Sequence, residues 1–325
     1  MAFELELRGS GELEVEPGER GPLWAVVLAG GEGTRLRPLV HHLCGDERPK
    51  QFAPLLGTRT LLRQTLDRVE LLIPPERTVV VTLEAHARYL DREFGDRPRW
   101  NILRQPENRG TTAGILFAAQ WIETRDPGAT LVCLPSDHLV LEEDAFMTHV
   151  AQAAGFVERQ PRWIVLLGAQ PSEPETGYGW IEPGERVGWT SQGPVYGIRR
   201  FREKPSKEVA EALLAAGGLW NTFVFTARAA VVLSAGHECA PGLYHRLARL
   251  GAFAGSEHER WAVRHAYALA PTLNFSRSIL ETCPQRLAVS KLPGLTWCDL
   301  GSPERVVKVL TRLGVSASWL ATYTA

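Results

Sequence analysis

The chain has 325 residues, 44% of them hydrophobic and 22% charged, with a formal net charge of −1. That is ordinary globular composition, with room for one large α/β domain or two small ones. The near-neutral balance argues against a broad basic surface for nucleic acid, and no apolar run approaches the roughly 18 residues of a membrane span.

Five cysteines, Cys44, Cys133, Cys239, Cys283 and Cys298, are odd in number and show no C-x-x-C spacing. The nine histidines form no H-E-x-x-H or similar ligand pattern. The expectation is reduced thiols in a cytoplasmic protein without a zinc site.

Residues 1–22 read as an appendage. Phe3, Leu5 and Leu7 alternate with polar residues, Gly9-Ser10-Gly11 intervenes, and Leu13 and Val15 alternate with glutamates. A small hairpin with one apolar face fits that pattern, and so does a disordered tail. The first twenty residues hold six Glu and two Arg and no apolar core, so they are not expected to be a signal peptide.

Residues 23–325 are expected to form one α/β domain ending in a helical part. Predicted strands are Trp24–Ala29, Thr78–Leu83, Thr130–Leu134 and Trp163–Ala169, and predicted helices between them are Leu61–Leu72, Thr112–Glu123 and Ala145–Val157. Apolar strands separated by amphipathic helices indicate a Rossmann-like, mostly parallel sheet with helices on both faces. Ligands in such folds lie at the carboxyl ends of the strands. Further strands are expected at Val195–Phe201, Trp220–Phe225 and Arg286–Lys291, and helices around His245, Trp261 and Ile279. A last helix is predicted from Ser302 to Leu313, with Ser302 as N-cap and Pro303 at its first position.

The first strand runs into Gly30-Gly31-Glu32-Gly33-Thr34-Arg35-Leu36. Glycines at a strand end let backbone N–H groups approach a phosphate. No Gly-Lys-Ser/Thr follows, and Leu36 stands where a dinucleotide fingerprint has its third glycine. Alone, the turn reads equally as a tight connection. Arg35 and, fifteen residues on, Lys50 could neutralise a triphosphate, although either alone reads as a surface charge.

The segments GGEGTRLRPL (30–39) and RPKQF (48–52) together resemble the signature of the sugar nucleotidyltransferases. The resemblance covers roughly residues 24–312. It implies that Ala29, Gly30, Gly31, Gly33 and Thr34 bind the nucleotide, with the glycines at its phosphates. It also implies that Arg35 and Lys50 stabilise charge on the α-phosphate and the departing pyrophosphate.

The buried strand at Thr130–Leu134 delivers Pro135-Ser136-Asp137-His138, and a second aspartate stands in Trp297-Cys298-Asp299-Leu300-Gly301. Magnesium takes one or two protein carboxylates and leaves its other positions to water and phosphate. Asp137 and Asp299 suit that pattern, while a turn aspartate is the bland alternative. The resemblance implies that both hold Mg2+.

In Gln105-Pro106-Glu107-Asn108-Arg109-Gly110-Thr111-Thr112, Thr111 or Thr112 can cap the next helix. The resemblance makes this the base-selecting loop, with Gln105, Gly110 and Thr111 at the nucleotide, in a form similar to the guanylyl-transferring branch. It places Tyr178, Gly179, Glu203 and Asn221 at the sugar and Lys204 on the sugar phosphate. Two departures stand out: Phe223 replaces a usual glycine, and Ser276 a usual aspartate.

The implied reaction joins GTP and mannose 1-phosphate into GDP-mannose and pyrophosphate. Alternatives are heptose 1-phosphate with GTP, glucose 1-phosphate with UTP or dTTP, or a catalytically silent regulator that binds a nucleotide sugar. The expected partners are small-molecule substrates, with a homodimer as the oligomer considered and neither nucleic acid nor membrane.

Overall fold

The computed structural model describes residues 21–94, 101–314 and 319–323. The expected appendage lies outside them except for Gly21 and Pro22.

The strands in chain order are β1 (Leu23–Leu28), β2 (Thr78–Leu83), β3 (Ile102–Gln105), β4 (Thr130–Pro135), β5 (Leu139–Val140), β6 (Ile164–Ala169), β7 (Gly179–Thr190), β8 (Gly193–Glu203), β9 (Leu219–Arg228), β10 (Leu287–Lys291) and β11 (Trp297–Cys298). Nine of them form one sheet in the order β3-β2-β1-β4-β9-β6-β10-β8-β7. The half from β3 to β4 is parallel, as expected for apolar strands buried on both faces. Beyond β4 the sheet is mixed. β9 runs antiparallel between β4 and β6, and β7 and β8 form a long antiparallel hairpin. The architecture is therefore α/β and Rossmann-like on one side and hairpin-built on the other.

The α-helices among the described residues are α1 (Arg37–Cys44), α2 (Leu61–Glu70), α3 (Ala87–Phe94), α4 (Gly110–Arg125), α5 (Glu143–Arg159), α6 (Lys207–Ala215), α7 (Ala229–Cys239), α8 (Pro241–Leu247), α9 (Glu259–Ala268), α10 (Pro303–Leu313) and α11 (Leu320–Tyr323). The segment predicted helical around Ile279 is a π-helical turn, Ser276–Leu280. One face of the sheet packs Ile115, Phe117, Tyr267 and Phe275 against Val26, Val79 and Leu131. The other packs Leu62, Leu66, Phe146 and Phe156 against Ala25, Val27 and Val132. A third cluster joins Leu39 and Val40 of α1 to Val306 and Leu310 of α10. It folds the C-terminal helix back over the carboxyl ends of the parallel strands. Ser302 caps α10 by accepting the Arg305 N–H at 3.3 Å, as the sequence predicts.

Two expectations are corrected. Cys239, at the end of α7, and Cys283, just past the π-helical turn, are joined in a disulfide, whereas Cys44, Cys133 and Cys298 are free thiols. The pair is 44 residues apart in sequence, so no spacing rule could reveal it; tertiary packing brings the segments together. Thr111 and Thr112 do not cap α4, whose N-cap is Arg109 without a side-chain bond. Thr111 Oγ1 accepts the Phe275 N–H at 2.9 Å and Thr112 Oγ1 pairs with Ser278 Oγ at 2.9 Å. Both threonines thus fasten the 273–278 segment over the helix start.

Among the described residues, no helix is long and apolar enough to cross a membrane.

Candidate active site

A cleft of about 260 Å³ opens at the carboxyl ends of β1 and β4. It is lined by Gly31, Arg35, Thr111, Asp137, Tyr178, Gly179, Glu203, Lys204, Asn221 and Asp299 of the predicted set, joined by His138, Phe223, Ser276 and Trp297. A larger groove of about 590 Å³ lies elsewhere, around Arg48, Arg59, Arg63 and Tyr89. It holds none of the predicted phosphate, metal or sugar residues.

The two aspartates meet through a short ribbon. β5 and β11 pair antiparallel, with Leu139 opposite Cys298 and Val140 opposite Trp297. Asp137 precedes one strand and Asp299 follows the other, so the pairing sets them side by side. Lys50 fills the space between them. Its Nζ lies 3.1 Å from Asp137 Oδ2 and donates to the carbonyl of Asp299 at 2.7 Å. This lysine is 9% exposed, so its charge is held by these oxygens rather than free on the surface.

Asp299 has a second cation. Its Oδ1 accepts from Arg305 at 2.5 Å, from Gly301 N at 2.9 Å and from Tyr178 Oη at 3.0 Å. Burial alone would raise the Asp299 carboxyl. His138 when protonated, Arg305 and Lys50 outweigh that and hold it below the usual carboxylate range. Burial pushes His138 toward its neutral form, so at neutral pH Arg305 and Lys50 carry this effect. With Oδ1 saturated, Oδ2 is the oxygen left for a cation. Two carboxylates with hard oxygen donors in one cleft fit a magnesium ion that keeps its other positions for water and phosphate.

The glycine turn is clamped from below. Gln51, 1% exposed, donates Nε2 to the carbonyls of both Ala29 and Gly31, at 2.9 and 2.8 Å. Gly33 adopts φ 59° and turns the chain into Thr34 and Arg35, both exposed. Gly30 sits over Gln105. Gln105 is itself buried, and its Oε1 accepts from Tyr267 Oη at 3.1 Å, which fixes the orientation of the amide. Gly110 has φ 78°, and a Cβ there would run into the carbonyl of Leu273. Its glycine is therefore explained by packing against the chain itself.

Beside Tyr178, a Cβ at Gly179 would lie 2.8 Å from the Glu203 carboxylate, so glycine is what lets that acid into the cleft. Burial raises the Glu203 carboxyl. Its backbone N–H donates to Glu281 Oε1 at 2.7 Å. Lys204 follows at φ 51°, its N–H bonded to the Tyr178 carbonyl at 3.1 Å and its side chain exposed. Among the described residues, the non-glycine residues with positive φ are Lys204, Phe223 and Leu300. Two line the cleft and the third adjoins Asp299.

Residues 24–313 match the nucleotidyl transferase family. The chain belongs to it. This nucleotidyl transferase is 32% identical over 285 residues to the xanthan biosynthesis protein XanB of Xanthomonas campestris pv. campestris strain B100, covering 85% of the chain and 57% of that protein. It is 33% identical over 291 residues to a mannose-1-phosphate guanylyltransferase of Sinorhizobium fredii strain NBRC 101917 / NGR234, covering 87% and 54%. The chain thus spans little more than half the length of these curated relatives. Among solved structures, it aligns with TM-score 0.76 and 30% identity to a Thermus thermophilus protein called a mannose-1-phosphate geranyltransferase, covering 91% of this chain and 80% of that one.

Sequence reasoning assigned no role to Gln51, Glu175, His138, Trp297 or Arg305 of this nucleotidyl transferase. Gln51 adjoins the signature lysine and His138 adjoins Asp137, so proximity was a usable signal. For Arg305 and Glu175 there was none, because 130 residues separate them.

Proposed function

We propose that this protein transfers the guanylyl group of GTP to mannose 1-phosphate, forming GDP-mannose and releasing pyrophosphate, with Mg2+ as cofactor. The observation that carries this reading is the single cleft holding Arg35, Asp137, Lys204 and Asp299 beside the glycine turn. The name of the Sinorhizobium fredii relative, mannose-1-phosphate guanylyltransferase, supports the same substrates.

The sugar phosphate is already an anion, so no protein nucleophile is needed. One of its oxygens attacks the α-phosphorus of GTP, the bond to the β-phosphate breaks, and pyrophosphate leaves with that electron pair. Catalysis is then positioning and charge neutralisation. Asp137 and Asp299 would hold the Mg2+, which neutralises phosphate charge when bound. Arg35, exposed beside the glycine turn, takes the pyrophosphate side. Lys50 supplies the counter-charge that lets two carboxylates share a buried corner while leaving the polyphosphate within its field. Lys204 grips the sugar phosphate and offsets the repulsion between two anions. Tyr178, Glu203 and Asn221 address the sugar, while Gln105, Gly110 and Thr111 shape the base end.

The test is a pyrophosphate-release assay over a grid of triphosphates and sugar 1-phosphates. GTP with mannose 1-phosphate is expected to turn over fastest, and Asp137→Asn to lose roughly a hundredfold or more. Absence of pyrophosphate with every pair, at any magnesium concentration, would refute the assignment.

A further inference from the structure

β9 carries an irregularity against β6 at the mouth of the cleft. Leu166 pairs with Phe225 and Gly168 with Asn221, so the single residue Leu167 faces Thr222, Phe223 and Val224. Side chains staple the bulge. Thr222 Oγ1 donates to the Leu167 carbonyl at 2.7 Å and accepts the Val224 N–H at 3.2 Å, and Asn221 Oδ1 accepts the Phe223 N–H at 3.0 Å. Bulges of this kind re-aim side chains beside active sites.

Phe223 sits in this bulge at φ 61°. A bulky side chain rarely takes that conformation, and glycine would take it at no steric cost. The ring is only half-buried. It rests edge-on against Phe275 at 6.3 Å and forms cleft wall with Asn221, Glu203 and Ser276. A strained aromatic residue therefore stands where the cheapest residue would leave open space. In a cleft of about 260 Å³, one phenyl ring decides much of what fits. It also offers no strong hydrogen-bond donor or acceptor, so the part of the wall that the ring itself forms meets an apolar edge of a ligand.

We propose that Phe223 is a specificity-determining residue: its ring confines the sugar end to 1-phosphates of simple hexoses and excludes those bearing an N-acyl-sized substituent. This rests on the proposed nucleotidyl transfer and names the acceptor class for it.

The experiment compares mannose 1-phosphate with N-acetylglucosamine 1-phosphate, with GTP as donor, in the full chain and in Phe223→Gly, Phe223→Ala and Phe223→Leu. The kcat/KM ratio favouring mannose 1-phosphate is expected to fall at least tenfold in the Gly and Ala variants, through a lower KM for the N-acetyl substrate. Leu, which keeps apolar bulk, should retain most of the preference. An unchanged ratio in variants that melt as the parent does overturns the proposal, as does an equal loss on both substrates through kcat. Should the parent release no pyrophosphate with any pair, the nucleotidyl-transfer reading falls. Calorimetric binding of the same two sugar phosphates then judges Phe223 separately. Tenfold tighter binding of the N-acetyl compound by Phe223→Gly or Phe223→Ala supports the gate, and unchanged binding ends it.

Discussion

Arg305 closes on Asp299 at 2.5 Å with one guanidinium nitrogen and on Glu175 at 2.6 Å with the other. The same guanidinium lies 4.6 Å above the Tyr178 ring, whose hydroxyl also bonds Asp299. One arginine on the first turn of α10 thus ties a metal-ligand candidate to the loop that leads into Tyr178 and Gly179 of the cleft.

Replacing Arg305 by Leu leaves two acids in a largely buried corner without their shared cation. Both Arg305 and Asp299 keep less than a fifth of their side-chain surface exposed, 19% and 16%, so solvent compensates little. The expected cost is on the order of 3 kcal/mol, read from urea denaturation. The KM for mannose 1-phosphate should rise more than that for GTP, because Glu175, through the Gly177 N–H, anchors the loop that leads into the proposed sugar residues. Arg305→Lys keeps the charge but not the two-pronged fork, and should recover less than half of the lost stability. Equal KM changes for the two substrates would contradict the coupling.

Gln51 sets up the opposite preference. Its amide holds the carbonyls of Ala29 and Gly31 beneath the glycine turn. Gln51→Leu fills similar space but leaves two carbonyls without that donor, at a cost of about 2 kcal/mol. With the turn as the proposed triphosphate site, the KM for GTP should rise at least several-fold while that for the sugar phosphate changes little. A steady-state matrix in both substrates checks this.

Much of the site was legible because strand ends and motifs coincide. The apolar run of β4 ends in Pro135 and delivers Asp137, and the capping signal at Ser302 correctly starts α10 behind Asp299. The second half of the sheet was less legible. β7 contains Pro183, Gly184 and Gly188, residues that weaken a strand pattern, and its register with β8 shifts at three places. The pairing of β9 between two strands that run against it has no local signature either. Arg305 and Glu175 show the same limit for charges. Each reads as a surface residue until the fold brings Arg305, at the start of α10, against Glu175 and Asp299.

Gly110 tests whether the proposed base loop is held by backbone packing. It combines φ 78° with the Leu273 carbonyl in the space a Cβ would fill, and the neighbouring Thr112 N–H bonds that same carbonyl at 3.2 Å. Gly110→Ala incurs a left-handed penalty of about 1 to 2 kcal/mol and must also displace the 273–275 segment. A lower melting temperature is expected, with GTP affinity falling more than sugar-phosphate affinity. An unchanged melting temperature would show that the segment yields freely.

His149 gives a pH dependence that is separate from the cleft. It lies on α5, 1% exposed, with Nε2 2.9 Å from Ser290 Oγ on β10 and Nδ1 buried without a partner among the described residues. Burial lowers its pKa to about 4, against about 6.5 in an unfolded chain. Between those values the unfolded state binds a proton that the folded state refuses, so stability rises with pH there. The contribution is complete above about pH 6.5 and is lost progressively toward pH 4, by on the order of 3 kcal/mol in all. Urea denaturation at steps from pH 7 to pH 4.5 should show this slope, and His149→Gln should flatten it by up to about one proton. At neutral pH the variant should be the less stable protein, since it disturbs a tightly packed contact between α5 and β10. The gap must narrow as the pH falls, and a gap that stays constant across the range would mean that His149 is not held neutral by the fold.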